Sequence, residues 1–488
     1  MAACGTTPPY QVPSTPAAPA WRETAPGWIA AAPADALSRG PWWSLFDDPV
    51  LNQLTAQVQV SNQNVAAAQA AVAESWAVLR GQRAALFPAV TLDAGATRSK
   101  VGGGSGSNGT HTGTGTGTGG GAGTGDSFSN VSNRFNLGLD ASWEPDLWGK
   151  VSANVSNARA HAQATEADLA NATLSAQSTF VADYLSVREA DAETAILQAT
   201  IDAYARALQI TQNRYDAAIA QKSDVLQAQT QLAGAQADLA VLRQQRAQLA
   251  HAIAVLLGQA PSTFVLPAGD WKSAAVPAVP IGLPSELLQR RPDIASAERA
   301  VAAANANIGV ARSAWFPAFT LSASIGQGSN RLADLFNASA TTWSFGLAVA
   351  QTVFNAGANT AAVDAARATW QQSVAQYRQT VLGAFQEVED QLSQATSLEQ
   401  QQALRRVASA AADQTEQELF NRYQQGINAY TDVVTAQTTA LAARRTLIQV
   451  TLQRQTAAVS LIAALGGGWT NARLAEDTAQ APSPASAN

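Results

Sequence analysis

Residues 287–326 read LLQRRPDIASAERAVAAANANIGVARSAWFPAFTLSASIG. The stretch begins as a helix and breaks at Trp315-Phe316-Pro317, because proline lacks a backbone donor and clashes with the turn before it. Phe319, Leu321, Ala323 and Ile325 then alternate with Thr320, Ser322, Ser324 and Gly326. That period of two predicts a strand with one apolar and one small polar face. The same order recurs at residues 69–95, QAAVAESWAVLRGQRAALFPAVTLDAG. With Phe87-Pro88 set on Phe316-Pro317, Ala71, Val72, Ala77, Arg83, Ala89, Thr91 and Leu92 fall on identical residues.

The match continues downstream. Gly138-Leu139 falls on Gly346-Leu347, Gly149 on Gly357, Asn213-Arg214-Tyr215 on Asn421-Arg422-Tyr423, Asp224-Val225 on Asp432-Val433, and Leu257-Gly258 on Leu465-Gly466. The chain is therefore a tandem duplication, the first property to settle in a long sequence. Phe87 stands further from Gly138 than Phe316 does from Gly346, so the first copy carries an insertion. Residues 99–129 supply it, as nearly pure Gly, Ser and Thr.

Each copy reads as a helix, two strands, a very long helix and a return helix. Repeat one is expected over 41–259, with a first helix over about 50–86, strands 89–97 and 134–143, the Gly-rich loop 99–129, a long helix 150–216 and a return helix 223–257. Repeat two is expected over 287–469, with strands 318–326 and 342–353, a long helix 357–423 and a return helix 430–465. A Pro/Ala-rich tether (1–40) precedes them, a Pro-rich linker (260–286) joins them, and a polar tail (470–488) follows. Asp47 or Asp48 can cap the first helix, with Pro49 in its first turn.

The composition narrows the class. Of 488 residues only 14% are charged, and the net charge of −6 carries no nucleic-acid footprint. There is no continuous apolar run of about 18 residues, so no transmembrane helix is expected, and a membrane-spanning part must be a closed β-barrel. The four amphipathic strands suit such a wall, with Trp343, Phe345, Leu347 and Val349 as one apolar face. Four strands cannot close it, because known barrels begin at about 8. Copies of the chain must share one barrel, and the strand count alone leaves dimer and trimer open. The long helices would each span roughly 100 Å and so must project from a bilayer. Leu232, Leu239, Leu242, Leu249 and Ile253 give the return helix a coiled-coil seam.

Catalytic chemistry finds no foothold. His111, His161 and His251 stand apart from one another, so no metal or cofactor site is suggested. The Gly/Thr insert lacks the setting of a phosphate loop. No nucleophile or acid–base pair emerges, and an enzyme is set aside. A coiled-coil surface fibre, the competing reading, accounts for the seam but not for two strand pairs at matched positions. The single cysteine, Cys4, excludes an intrachain disulfide.

Several separated segments resemble the TolC-like outer-membrane efflux family, in its lipoprotein (NodT/OprM-type) branch. They are ELLQRRPDIASAERAVAAANANIGVARSAWFP, WWSLFDDPVLNQL near the start, Asn-Arg-Tyr at both helical turns and ALGGGW at 464–469. The resemblance implies a mainly α fold with a small β part. It implies a homotrimer with a 12-stranded barrel in the outer membrane of a Gram-negative bacterium, continuous with a periplasmic α-helical barrel. Its partners would be a periplasmic adaptor, an inner-membrane RND-type transporter and outer-membrane lipid. The function implied is the exit duct of a tripartite pump for drugs or other small toxic molecules. A duct for type I protein secretion is the alternative.

Cys4 matches the lipidated first residue of a bacterial lipoprotein, although the leader that normally precedes such a cysteine is missing from the sequence. The family's periplasmic entrance falls on the helix–helix turns. Arg214, Asp224, Arg422 and Asp432 are therefore expected as polar links that close the tips, with Tyr215 and Tyr423 packed beside them. Ala218-Ile219 and Gly426-Ile427 are expected to dock the adaptor. Two departures stand out: Ala218 replaces glycine, predicting a less sharp first turn, and Thr435 stands where relatives place a constriction aspartate.

Overall fold

The computed structural model describes residues 6–15, 20–23, 41–101, 130–271, 276–277, 279, 284 and 287–469. Cys4, nearly all of the Gly-rich loop and the tail 470–488 lie outside the described residues, as do parts of the tether and linker. The chain divides into two compact units. One comprises Met1–Pro9, Val78–Asn157 and Asn305–Arg367; the other comprises Tyr10–Ala77, Ala158–Ala304 and Ala368–Asn488.

The first unit holds one antiparallel sheet in the order β1-β2-β3-β4, formed by β1 (Ala89–Val101), β2 (Asn130–Trp143), β3 (Ala318–Ser329) and β4 (Thr341–Ala350). β1, β2 and β3 are longer than their alternation predicts, and β4 ends at Ala350 instead of running to residue 353. Within each hairpin the pairing is the same once the duplication is applied: Ala89 faces Ser142 as Ala318 faces Ala350. The hairpins meet through β2 and β3, where Gly138 faces Gly326. A Cβ on Gly326 would lie 3.0 Å from the Leu137 carbonyl oxygen, so the close approach of these strands uses its missing side chain.

In the second unit a core gathers around Phe180, Tyr184, Leu185, Ile253, Leu257, Leu461 and Ile462, with Phe46 and Leu51 packed into it. The helices are α1 (Pro49–Ser61), α2 (Gln63–Ala84), α3 (Lys150–Asp216), α4 (Lys222–Leu256), α5 (Leu287–Arg290), α6 (Pro292–Ser313), α7 (Ala358–Gln424) and α8 (Tyr430–Ala464). Asp48 caps α1, accepting from the Val50 and Leu51 amides at 2.9 and 3.1 Å. No helix among the described residues is long and apolar enough to cross a membrane.

The single first helix expected over 50–86 is corrected to α1 and α2, broken at Asn62. The Asn62 carboxamide oxygen accepts from the amides of Asn64 and Val65, at 2.9 and 3.2 Å, and its nitrogen donates to the Leu256 carbonyl at 2.9 Å. The second copy breaks at the aligned residue, Arg291, whose guanidinium donates to the Ala464 carbonyl at 2.8 Å. Gly258 and Gly466 sit in the left-handed region, with φ of 67° and 93°. A Cβ there would lie 2.2 Å from the Ser61 carbonyl oxygen and 2.1 Å from that of Arg290. One backbone contact thus ties the end of each return helix to the break in each entry helix, and only glycine fits it.

Candidate functional site

The helical tips are where the expected site residues converge. Each tip ends its long helix through a left-handed residue, Ala218 at φ 57° and Gly426 at φ 79°. In the first, the Ala218 amide donates to the Tyr215 carbonyl at 2.9 Å and the Ile219 amide to that of Arg214 at 2.8 Å. In the second, Gly426 donates to Tyr423 and Ile427 to Arg422, both at 2.9 Å. The two backbones therefore make the same C-terminal turn. The softer first turn expected from Ala218 is corrected: the alanine takes the glycine conformation.

The side chains differ. Arg214 reaches across to the second tip, where its Nη1 donates to the Tyr423 carbonyl at 2.7 Å and its guanidinium lies 4.6 Å from the centre of the Tyr423 ring. Tyr423 is buried, with its hydroxyl 3.4 Å from Thr211 and its ring centre 5.2 Å from that of Tyr430. Ala228, Val433, Leu208, Phe420 and Val434 complete this small core. Burial pushes the Tyr430 hydroxyl up to about 12, helped by Tyr423 beside it. Tyr430 is therefore a neutral, apolar-packed phenol at neutral pH, beside the buried ring of Tyr423.

Arg422 is half exposed, and its nearest carboxylate is Glu418 one turn back, at 3.8 Å. Tyr215 is 39% exposed. Asp224 accepts from the Ser223 hydroxyl at 3.4 Å and Asp432 from the Asn428 carboxamide at 3.3 Å. Among the described hydrogen bonds and ion pairs of one protomer, then, Arg214 and Tyr423 come together across the tips and those of Asp224, Arg422 and Asp432 stay within their own tips, although the Asp224 charge is also felt by the Tyr430 hydroxyl of the second tip. The exposed Ile219 and Ile427 stand at the ends of the turns. Thr435 is exposed and donates to the Thr431 carbonyl at 2.9 Å. Tyr430 was not singled out from the sequence; its signal is an aromatic just after the turn in the second copy, where the first has Lys222.

A second functional surface is the sheet. Leu92, Leu139, Ile325 and Leu347 lie on one face and are exposed, as are Trp343, Phe345 and Val349 of the edge strand β4. The opposite face carries Asp140, Ser142, Ser322, Ser324 and Ser344, and Ser324 and Ser344 share a hydrogen bond of 2.8 Å. Such a sheet can stand between hydrocarbon and water. Among the described residues no group of His, Cys, Asp and Glu could hold a metal.

Comparison with known proteins gives these surfaces a family. The family model described as outer membrane efflux protein matches residues 54–259 and 283–467. The pyoverdine export outer membrane protein OpmQ of Pseudomonas aeruginosa is 33% identical, over 97% of this chain and 96% of its own length. The toluene efflux pump outer membrane protein TtgC of Pseudomonas putida is 31% identical, over 100% of this chain and 96% of its own. The solved structure of the outer-membrane channel OprN superposes with a TM-score of 0.83 at 30% identity, covering 95% of this chain and 99% of that one. The chain belongs to the outer membrane efflux protein family. It is an efflux channel protein of the outer membrane and not an enzyme.

Proposed function

We propose that three copies of this chain close one twelve-stranded barrel and continue as a single periplasmic helical tunnel. In this reading the tunnel is the exit duct for small toxic molecules delivered by an inner-membrane RND-type transporter through a periplasmic adaptor. The observation that carries it is the open four-stranded sheet. Its apolar stripe runs across both edge strands, and its other face is lined by small hydroxyls. One copy leaves two edges of unpaired backbone in hydrocarbon, which a bilayer does not tolerate. Closure by further copies satisfies every strand.

The tips form the periplasmic entrance in this reading. Arg214, Tyr215, Asp224, Arg422, Tyr423 and Asp432 make up the gate. Arg214 and Tyr423 tie the two tips of one copy to each other, which leaves Arg422, Asp224 and Asp432 to reach between copies. Ala218-Ile219 and Gly426-Ile427 dock the adaptor, as small-then-apolar turns that a helical hairpin can grip. Cys4 carries the lipid anchor, read out as labelled palmitate on the protein and its loss in Cys4→Ser.

The deciding experiment deletes the gene and profiles the strain against a broad compound panel and for secreted proteins. Sensitisation to several small molecules with an unchanged secretome supports the reading. Loss of one secreted protein without sensitisation overturns it in favour of type I secretion.

A further inference from the structure

The duplication specifies a strand pairing that one copy cannot make. The two hairpins are equivalent residue by residue, since Ala89 opposite Ser142 becomes Ala318 opposite Ala350. The step between them, from β2 to β3, sets Phe135 opposite Ser329, Gly138 opposite Gly326 and Trp143 opposite Leu321. In a ring of copies the next step runs from β4 of one copy to β1 of another. The same equivalences carry β2 onto β4 and β3 onto β1, so the register of that step is inherited.

We propose that β4 pairs antiparallel with β1 of a second copy in one register. Trp343 lies opposite the partner's Lys100, Ser344 opposite the partner's Ser99, Leu347 opposite the partner's Ala96, and Gln351 opposite the partner's Leu92. This rests on the reading above that copies close the barrel, but not on their number.

Three observations agree with this register. The first is the parity of the faces. Leu347 and Val349 meet the partner's Ala96 and Ala94, apolar face to apolar face, whereas a slip of one residue would turn β1's apolar side chains toward the hydroxyl-lined face. The second is a row of hydroxyls. Ser324 and Ser344 are hydrogen-bonded at 2.8 Å, and Ser99 and Ser132 at 2.9 Å. The register places Ser344 beside the partner's Ser99 and joins the two pairs into one line, which a slip of two residues breaks.

The third lies at the base of the strands. Between β2 and β3, Trp148 stacks on Phe316 with ring centres 4.9 Å apart, and its indole nitrogen donates to the Pro317 carbonyl at 2.7 Å. The aligned residues of the next step are Ala356 and Phe87, so the tryptophan is missing. Phe87 is 71% exposed, as are Val353 and Phe354 at 94% and 86%. Continued past β4, the register sets Val353 against the partner's Val90 and Phe354 against the partner's Ala89, next to the partner's Phe87. These apolar side chains fill the place that Trp148 fills within a copy.

Paired cysteines in the full-length chain test the register. Ser344→Cys with Ser99→Cys, and Leu347→Cys with Ala96→Cys, are in register and fall on the two alternating classes of antiparallel pair. Ser344→Cys with Thr97→Cys is two residues out, where side chains are separated by about 7–8 Å instead of about 5 Å. Outer membranes are oxidised with copper phenanthroline and run on non-reducing gels beside the single variants. The same preparations are weighed unoxidised in mild detergent. At least one in-register pair should link about tenfold more than the shifted pair, which exceeds the reach of a disulfide. An oligomeric mass with preferential linking of the shifted pair, or with no in-register linking, overturns the register alone. A monomeric mass overturns barrel closure itself, whatever the gel shows.

Discussion

The long helices α3 and α7 each span 67 residues and occupy aligned places in the two repeats, yet they bury different chemistry. Midway along α3, Arg188, Glu189 and Glu193 are all buried. Arg188 donates to the Tyr184 hydroxyl at 3.0 Å and to the Pro267 carbonyl at 2.8 Å. Asp191, between them, takes Arg246 at 2.5 Å and the Gly269 amide at 3.3 Å. These charges strap residues 266–269 of the linker onto the first repeat. In α7 the residues aligned with Arg188, Glu189 and Glu193 are the uncharged Thr396, Ser397 and Gln401, while the Asp191–Arg246 pair recurs as Glu399–Arg454, at 3.4 Å with Glu399 exposed. At the tips the arginines part in the same way: Arg214 is spent inside the protomer, and Arg422 stays half exposed. Both copies keep one backbone plan. At these two places, mid-helix and tip, the first copy's arginines Arg188 and Arg214 are held inside the protomer, whereas Thr396 carries no charge and Arg422 is half exposed.

If that division is right, the two tyrosines of the Asn-Arg-Tyr motifs are not equivalent. Tyr423→Ala removes a buried ring from a small core and should cost about 3–5 kcal/mol of local stability. Tyr215→Ala, at an exposed position, should cost less than about 0.5 kcal/mol. Hydrogen exchange of residues 208–214 and 420–434 reads both. Equal loss of protection would break the comparison.

The buried carboxylates of α3 give that helix a pH dependence. Burial, with Glu193 beside it, pushes the Glu189 carboxyl from the usual 4.5 to about 7, against the pull of Arg445. A folded pKa above the unfolded one means that the folded state holds more protons between those values. Stability contributed by this group is full below about pH 4.5 and is lost as pH rises to about 7. Glu189→Gln should flatten that slope and raise stability at pH 8 by at most about 3 kcal/mol. Exchange protection across residues 186–196 at several pH values checks it, with Ser397→Ala in α7 expected to leave the pH profile unchanged.

A smaller effect separates the arginines. Arg214→Ala removes a charged hydrogen bond to a carbonyl and a ring contact, and should loosen the second tip by about 2 kcal/mol. Arg422→Ala, whose intrachain pair is exposed at 3.8 Å, should cost under about 0.5 kcal/mol within a protomer. A large effect of Arg422→Ala on bilayer conductance beside a small one on exchange would place its work between copies.

Much of this was legible in the sequence because it is written in repetition and period. Phe87-Pro88 on Phe316-Pro317 gives the duplication, and alternation at Phe319–Ile325 and Trp343–Val349 gives strands whatever surrounds them. The break at Asn62 was hidden because neither proline nor glycine marks it. Its signal sits in the other copy, where Arg291 precedes Pro292 and the residue before a proline disfavours helix. Which arginine crosses between tips was not legible at all. Both stand in the same tripeptide, and the choice depends on the core around Tyr423 and Tyr430, built from two helical hairpins distant from each other in sequence.

The smallest effect concerns the turn residue itself. Ala218 and Gly426 hold the same left-handed conformation, and for alanine that costs about 1 kcal/mol that glycine avoids. Sequence preference alone made the first tip the looser one, yet its turn closes with hydrogen bonds as short as those of the second. Packing of the flanking helices must therefore outweigh the strain at Ala218. Ala218→Gly should then tighten the first tip by about 1 kcal/mol, and Gly426→Ala should loosen the second by a similar amount. Exchange of the Ile219 and Ile427 amides, each bonded back into its turn, measures the two directly. If Ala218→Gly loosens the first tip instead, the added chain entropy exceeds the relieved strain, and the two turns are less alike than their hydrogen bonds make them.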